Sequence, residues 1–229
     1  MKHAPSVWAL SLALAIGCGG TVRSLPASPN EATRRLHALF AQEWEHDLDE
    51  NPVWASTLGD MRGAARWDDV SLAAQRRREA HDREVLARLA RIPRAELSKE
   101  DALSYDLFQR RYADAVEGQP FRLHLLPINQ RGGIQTADDV ADALPFASQK
   151  DHEDYNARLA AFPGYMDQTL ELLREGVRAG ITHPKVVMRR VAAQIDQQIV
   201  DDPAKSPFFA PYQRPSSAVR PEDRERLAS

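Results

Sequence analysis

The 229-residue sequence has one cysteine, Cys18, so it carries no internal disulfide framework and no multi-cysteine zinc site. It has little excess of either charge. The 30 Lys+Arg face 33 Asp+Glu, which removes the electrostatic ground for a nucleic-acid partner. Glycine and proline, at 11 and 15 residues, are ordinary and exclude collagen-like and low-complexity classes. No apolar run reaches the roughly 20 residues of a membrane-spanning helix. GxSxG, Walker and GxGxxG patterns do not occur, so the usual signatures of an activated serine or a phosphate cradle are missing. What is there is a globular balance, 43% hydrophobic and 28% charged.

The first residues read as an address. Lys2 and His3 form a basic start, and Val7 to Ile16 is apolar apart from Ser11. That shape is a signal peptide. Leu14-Ala15-Ile16-Gly17-Cys18 puts the sole cysteine where a bacterial lipobox has it. The expectation is a signal over 1–17, lipid on Cys18, and a flexible tether over 18–30. Acyl chains would then hold the chain at the bacterial cell envelope, each buried methylene contributing about 0.8 kcal/mol. The alternative is a plain secretory signal with an incidental cysteine.

Residues 31–229 read as an all-α, multi-helix array. Asn30 caps a helix to about Glu50, with Leu36, Leu39, Phe40, Trp44 and Leu48 on one stripe. A short helix or turn follows over 53–66, then an arginine-rich helix over 71–92. Ser98 to Asp101 resembles a capping box for a third long helix ending near Gly118. Phe121 to Leu125 alternates, which predicts a short strand or hairpin near 121–126. Thr136 with Asp139 and Ser148 with Asp151 look like further helix starts. Phe162-Pro163-Gly164 predicts a break before a helix over 165–179, with Gly180 as its cap. Val187, Val191, Ile195 and Ile199 repeat every four residues in the next helix. Pro221-Glu222-Asp223 starts another that the sequence leaves after barely two turns.

Candidate chemistry is sparse. No two histidines are three or four residues apart; His152-Glu153 begins a zincin pattern, but Asn156 stands where the second His belongs. That reads as a surface histidine. The acids Glu43, Glu45, Asp47, Asp49 and Glu50 read as a solvated face or, alternatively, a metal cluster. Arg76, Arg77, Arg78, Arg83, Arg88 and Arg91 interleave with Glu79, Asp82 and Glu84, a salt-bridged face. Phe208, Phe209 and Tyr212 line a groove or cover a core edge.

Several stretches together resemble the DUF885 family of bacterial proteins. They include Asn51-Pro52 through Gly59-Asp60, Tyr105-Asp106, Leu126-Pro127-Ile128-Asn129-Gln130, Pro145-Phe146, and Tyr155 to Phe162-Pro163. Leu172 to Gly176 with Gly180-Ile181, Pro184 to Val187, and Ser206 to Phe209 complete the series. The resemblance implies a helical lipoprotein similar to zinc metallopeptidases of the gluzincin type. It implies a zinc-binding HExxxGH-like motif in a C-terminal half, and no such motif occurs in this sequence. The chain is therefore expected to hold no cofactor itself, zinc being implied only for the full-length family, and to be inactive alone. Asn129, Gln130, Phe208, Phe209 and Tyr212 are candidate groove or inter-half contacts. Expected partners are the membrane through the lipid anchor, the missing C-terminal half, or a peptide ligand. The alternative is a freestanding envelope lipoprotein with a binding or scaffolding role.

Overall fold

The computed structural model describes residues 30–129 and 131–213. The expected signal peptide, Cys18, the expected tether up to residue 29, Gln130 and the expected helix start at Pro221 lie outside the described residues.

Helix α1 (Glu31–Glu50) is opened by Asn30, whose side chain accepts the Thr33 N–H at 2.8 Å. Asn51-Pro52 ends it, and Pro52 occupies the first turn of α2 (Pro52–Thr57). Helix α3 (Leu72–Leu89) is capped by Ser71. Helix α4 (Lys99–Gly118) is capped by Ser98, which accepts the Asp101 N–H at 3.1 Å. The expected capping box is only half made, because the Asp101 carboxylate turns to α1. It accepts from Thr33 Oγ1 at 3.0 Å and from His37 Nε2 at 2.8 Å.

These bonds, His37's first, hold the Asp101 carboxyl below its usual value. A carboxyl lowered on folding stabilises the native state above its unfolded pKa and loses that contribution as pH falls through the folded one. Asp101→Asn is therefore expected to flatten the acid limb of a urea-midpoint titration between about pH 5 and pH 2. An unchanged acid limb would dismiss the staple.

Two apolar clusters follow. The first joins α1, α3 and α4 through Ala32, Leu36, Leu39, Leu89, Ile92 and Tyr105, with Phe40 and Phe108 packed on it. The second joins Ala64, Val140, Ala141, Leu144 and Tyr155, flanked by Val53, Trp67 and Tyr212. It lies at the N-terminal half of α5 (Gln149–Ala179), where the expected Ser148–Asp151 capping box is present in full.

Several expectations are corrected. Among the described residues there is no strand near 121–126. Two 3-10 turns, Gln119–Phe121 and Leu123–Leu125, meet at Arg122, whose φ of 51° rules out extended backbone. The alternation does not set burial either: Phe121, Leu123 and Leu125 would share one strand face, yet Leu125 is buried while Phe121 and Leu123 face water. Thr136 is not a cap; it sits within the 3-10 stretch Ile134–Ala143 and its hydroxyl donates back to the Gly133 carbonyl. Ile199 lies beyond α6 (Lys185–Asp196) and is exposed, while Val191 is buried.

Phe162-Pro163-Gly164 does not break α5, which runs 31 residues, about 46 Å. Pro163 and Gly164 sit on its exposed side. Phe162 and Tyr165, both half-buried, pack against Trp67, Phe162 tilted at a ring distance of 5.2 Å and Tyr165 stacked at 5.1 Å. That packing holds the helix across the missing N–H. Pro163→Ala is expected to restore one backbone hydrogen bond and stabilise by about 2 kcal/mol. An intrinsic proline penalty of about 3 is partly offset by the freer unfolded chain. Thermal or urea unfolding reads it, and a destabilised variant would mean the proline ring itself packs.

Candidate functional site

The α1 stripe carries a substitution that hydropathy alone does not announce. Leu36, Leu39 and Leu48 are buried as expected, but Trp44 is 49% exposed and the position facing the bundle belongs to Glu43, at 2%. A carboxylate so buried needs partners from its neighbours. It has three. His81 Nε2 from α3 lies 2.6 Å from Oε2, and Tyr112 Oη from α4 donates to the same oxygen at 3.1 Å. Arg88 from α3 donates to Oε1 at 3.1 Å. Thus one acid ties all three helices together. Burial, then the Glu43 charge, push the Tyr112 phenol well above its usual range, so it stays a hydrogen-bond donor.

Arg88 and Tyr112 both donate to Glu43, whose carboxylate is the common acceptor facing His81 Nε2. The His81 ring stacks on His46 of α1, centroids 3.8 Å apart. Both rings line a cleft of about 400 Å³ between α1, α3, the end of α4 and the turn at Arg122. Five carboxylates (Asp47, Glu50, Glu79, Asp82, Asp114) and three arginines (Arg78, Arg111, Arg122) share its wall. Burial raises the Asp82 carboxyl above its ordinary value and lowers the His124 imidazole. The arrangement can accept and orient hydrogen-bond donors. Among the described residues, no three His, Cys, Asp or Glu side chains converge as a metal-ligand set.

The arginine-rich α3 is salt-bridged, but to other elements rather than to its own interleaved acids. Arg78 pairs with Glu50, Arg77 with Asp69 and Arg88 with Glu43. The first-helix acids are likewise not a uniform solvated face. Glu43 is buried, Asp47 pairs with Arg111, and Glu45 and Asp49 pair with Arg62 and Arg66.

The groove residues named from sequence separate into two places. Phe208, Phe209 and Tyr212 lie together on the start of α5. Tyr155 Oη donates to the Phe208 carbonyl at 2.9 Å, Phe162 packs on Phe208, and the Tyr212 hydroxyl meets the Asn156 side chain. They cover a core edge. Asn129 is spent on its own turn, its side chain accepting the Arg131 and Gly132 N–H groups at 2.8 and 3.1 Å. Gln130 lies outside the described residues. His152 is no surface residue. It is 4% exposed, held by Nδ1 on the Ser148 carbonyl at 3.0 Å and flanked by Phe146 and Tyr212.

Sequence reasoning missed Glu43 and Arg158. The available signal for Glu43 was its spacing, four residues after Leu39 and seven after Leu36, on the apolar stripe itself. Arg158, fully buried on α5, sits likewise three residues after Tyr155. Its Nη2 donates to Ser56 Oγ at 3.1 Å and the Gly63 carbonyl at 3.0 Å, and Trp67 covers it at 5.8 Å. Burial pushes this guanidinium down to about 10, still charged at neutral pH.

No curated protein matches the chain. A family of bacterial proteins of unknown function, DUF885, matches residues 52–229. His81, Arg88, Tyr112 and Arg158 fall inside that span, while Glu43 and His46 precede it. With most of its length matched, the chain belongs to the DUF885 family.

Proposed function

We propose that this chain is the helical N-terminal portion of a DUF885-type, zinc-metallopeptidase-like exported lipoprotein, inactive by itself, which presents a surface for the part carrying the zinc motif. The observation that carries this reading is a second apolar face on helices that already bury one. On α5, Leu170 and Val177 continue the apolar stripe into solvent, Val177 at 70% exposure. On α4, Leu103 and Leu107 form an exposed row opposite the buried Tyr105 and Tyr112. Helices apolar on two sides belong to larger cores, and exposed apolar rows mark surfaces that a partner covers.

The purified chain is expected to bind a hydrophobic dye, to unfold with a urea m-value below that of a self-contained domain of about 200 residues, and to hydrolyse no peptide. One equivalent of zinc with peptide hydrolysis would overturn the reading. Anchoring is tested separately. Labelled palmitate is expected on the wild-type chain in cells and absent from Cys18→Ala, and equal labelling would remove the anchor.

The runner-up is a freestanding envelope lipoprotein that binds a ligand. It is favoured by the buried Glu43 network, whose partners His81, Arg88 and Tyr112 all lie on the described helices. A single cooperative transition without dye binding would favour it.

A further inference from the structure

A third exposed apolar patch is built from α1 and α2. Trp44 and Trp54 meet edge to face, ring centroids 5.6 Å apart. They are 49% and 41% exposed, and Leu58, one turn after Trp54, is 51% exposed. Three large apolar side chains held together in water mark a surface that something covers. Its surroundings are uncharged or neutralised. No charged residue occurs from Asn51 through Gly59, which takes in the whole of α2. Glu45, beside Trp44 in the chain, pairs with Arg62, which also holds Asp60, and Asp49 pairs with Arg66. Beneath the patch, Pro52, Ala55 and Ser56 are buried and fix α2 in place. Covering the patch therefore strands no lone charge.

The indole N–H groups narrow the choice of cover. Trp67 spends its N–H on the Arg158 carbonyl at 2.7 Å. Those of Trp44 and Trp54 meet no protein acceptor among the described residues. An exposed ring with a free N–H suits a bilayer interface, where the ring enters the acyl boundary and headgroup oxygens accept the N–H. The length of chain ahead of α1 makes that interface reachable. Cys18 precedes Asn30 by twelve positions, a reach of up to about 40 Å at about 3.5 Å per residue. Trp44 stands 13 residues after Glu31, about 20 Å along the helix axis. The family match begins at Pro52, so Trp44 belongs to the segment between the expected anchor and the matched region.

We propose that the Trp44–Trp54–Leu58 patch rests on the lipid bilayer beside the anchor, its rings at the headgroup–acyl boundary, and holds the protein in one orientation on the membrane. The inference rests on the exported-lipoprotein reading. Its test supplies the tether artificially, so absence of lipid on Cys18 and absence of membrane contact are separate results.

The test uses the mature chain that the signal implies, residues 18–229, with Cys18→Ala and an N-terminal histidine tag. The tag holds it on phosphatidylcholine vesicles that carry a nickel-chelating lipid. Trp44, Trp54 and Trp67 are its fluorophores. Brominated acyl chains quench the indoles that reach them, and the same vesicles without bromine are the reference. Bromine-dependent quenching is expected for the tethered chain. With Trp44→Phe and Trp54→Phe together, the remaining Trp67 emission should be unquenched. Leu58→Glu puts a carboxylate at the boundary and is expected to cut the quenching by about half or more. Leu58 is exposed, and unchanged circular dichroism verifies folding of the variant. Leu103→Glu, on the exposed row of α4, should be quenched as the parent is. Overturning results are no bromine-dependent quenching of the tethered chain, quenching that survives loss of both tryptophans, equal quenching in folded Leu58→Glu, or a concentration-dependent dimer that Leu58→Glu abolishes, which would give the patch to a second copy.

Discussion

Glu43→Ala is expected to lower the unfolding free energy by about 3 kcal/mol. The carboxylate takes Tyr112, His81 and Arg88 at once, so its removal strands donors from two other helices. Breaking a buried ion pair by deleting one partner costs about 3–5 kcal/mol, because the remaining charge stays desolvated. The lower end applies here, since the His81 and Arg88 side chains are 24% and 33% exposed and can turn toward water. Tyr112 cannot do so as easily, being buried on α4. A double-mutant cycle with Tyr112→Phe should show coupling between the two residues, because the phenol of the single variant is left without its acceptor. Urea unfolding monitored by circular dichroism measures both. A loss below about 1 kcal/mol would mean that Glu43 is replaceable by solvent and does not tie the bundle.

Arg158→Ala should cost a comparable amount, about 3–4 kcal/mol, for a different reason. It empties the volume under Trp67 and leaves Ser56 Oγ and the Gly63 carbonyl without their donor. Arg158→Met separates the two contributions. Methionine refills most of the space without a charge, and exchanging a buried ion for an apolar side chain is frequently near neutral. Two of the guanidinium nitrogens, Nε and Nη1, find no hydrogen-bond partner among the described residues, so the native charge is incompletely compensated. Arg158→Met is therefore expected to lose under about 1.5 kcal/mol. If both variants lose the same amount, the hydrogen bonds to Ser56 and Gly63 outweigh packing at this position.

These two residues also mark the boundary of what could be read in advance. Helix starts at Asn30, Ser71, Ser98 and Ser148, and the glycine stop at Gly180, were legible because capping is chemistry between near neighbours in the chain. The family was legible for a similar reason, as short ordered stretches survive without reference to packing. The all-α class followed from apolar spacing at three and four residues. Local signals misled where a distant face decided the outcome. Pro163 looked like a break, yet Trp67 from another segment holds Phe162 and Tyr165 and keeps α5 whole.

Charge was the least legible property. Glu43 and Glu45 are two residues apart, and nothing local separates a solvated acid from one at 2% exposure. Helix pitch puts one against α3 and α4 and the other in water. The partners that make burial tolerable, His81, Arg88 and Tyr112, lie 38 to 69 residues away. The same holds for the cleft. Which of its acids are already paired depends on arginines delivered by other helices, as Arg111 is to Asp47 and Arg78 to Glu50. Sequence by itself determined the all-α class, the helix starts at Asn30, Ser98 and Ser148, and the family, since those rest on signals within a few residues. Only the tertiary structure decided which charges are buried and which are neutralised, because electrostatic energies depend on distance and dielectric rather than on order along the chain.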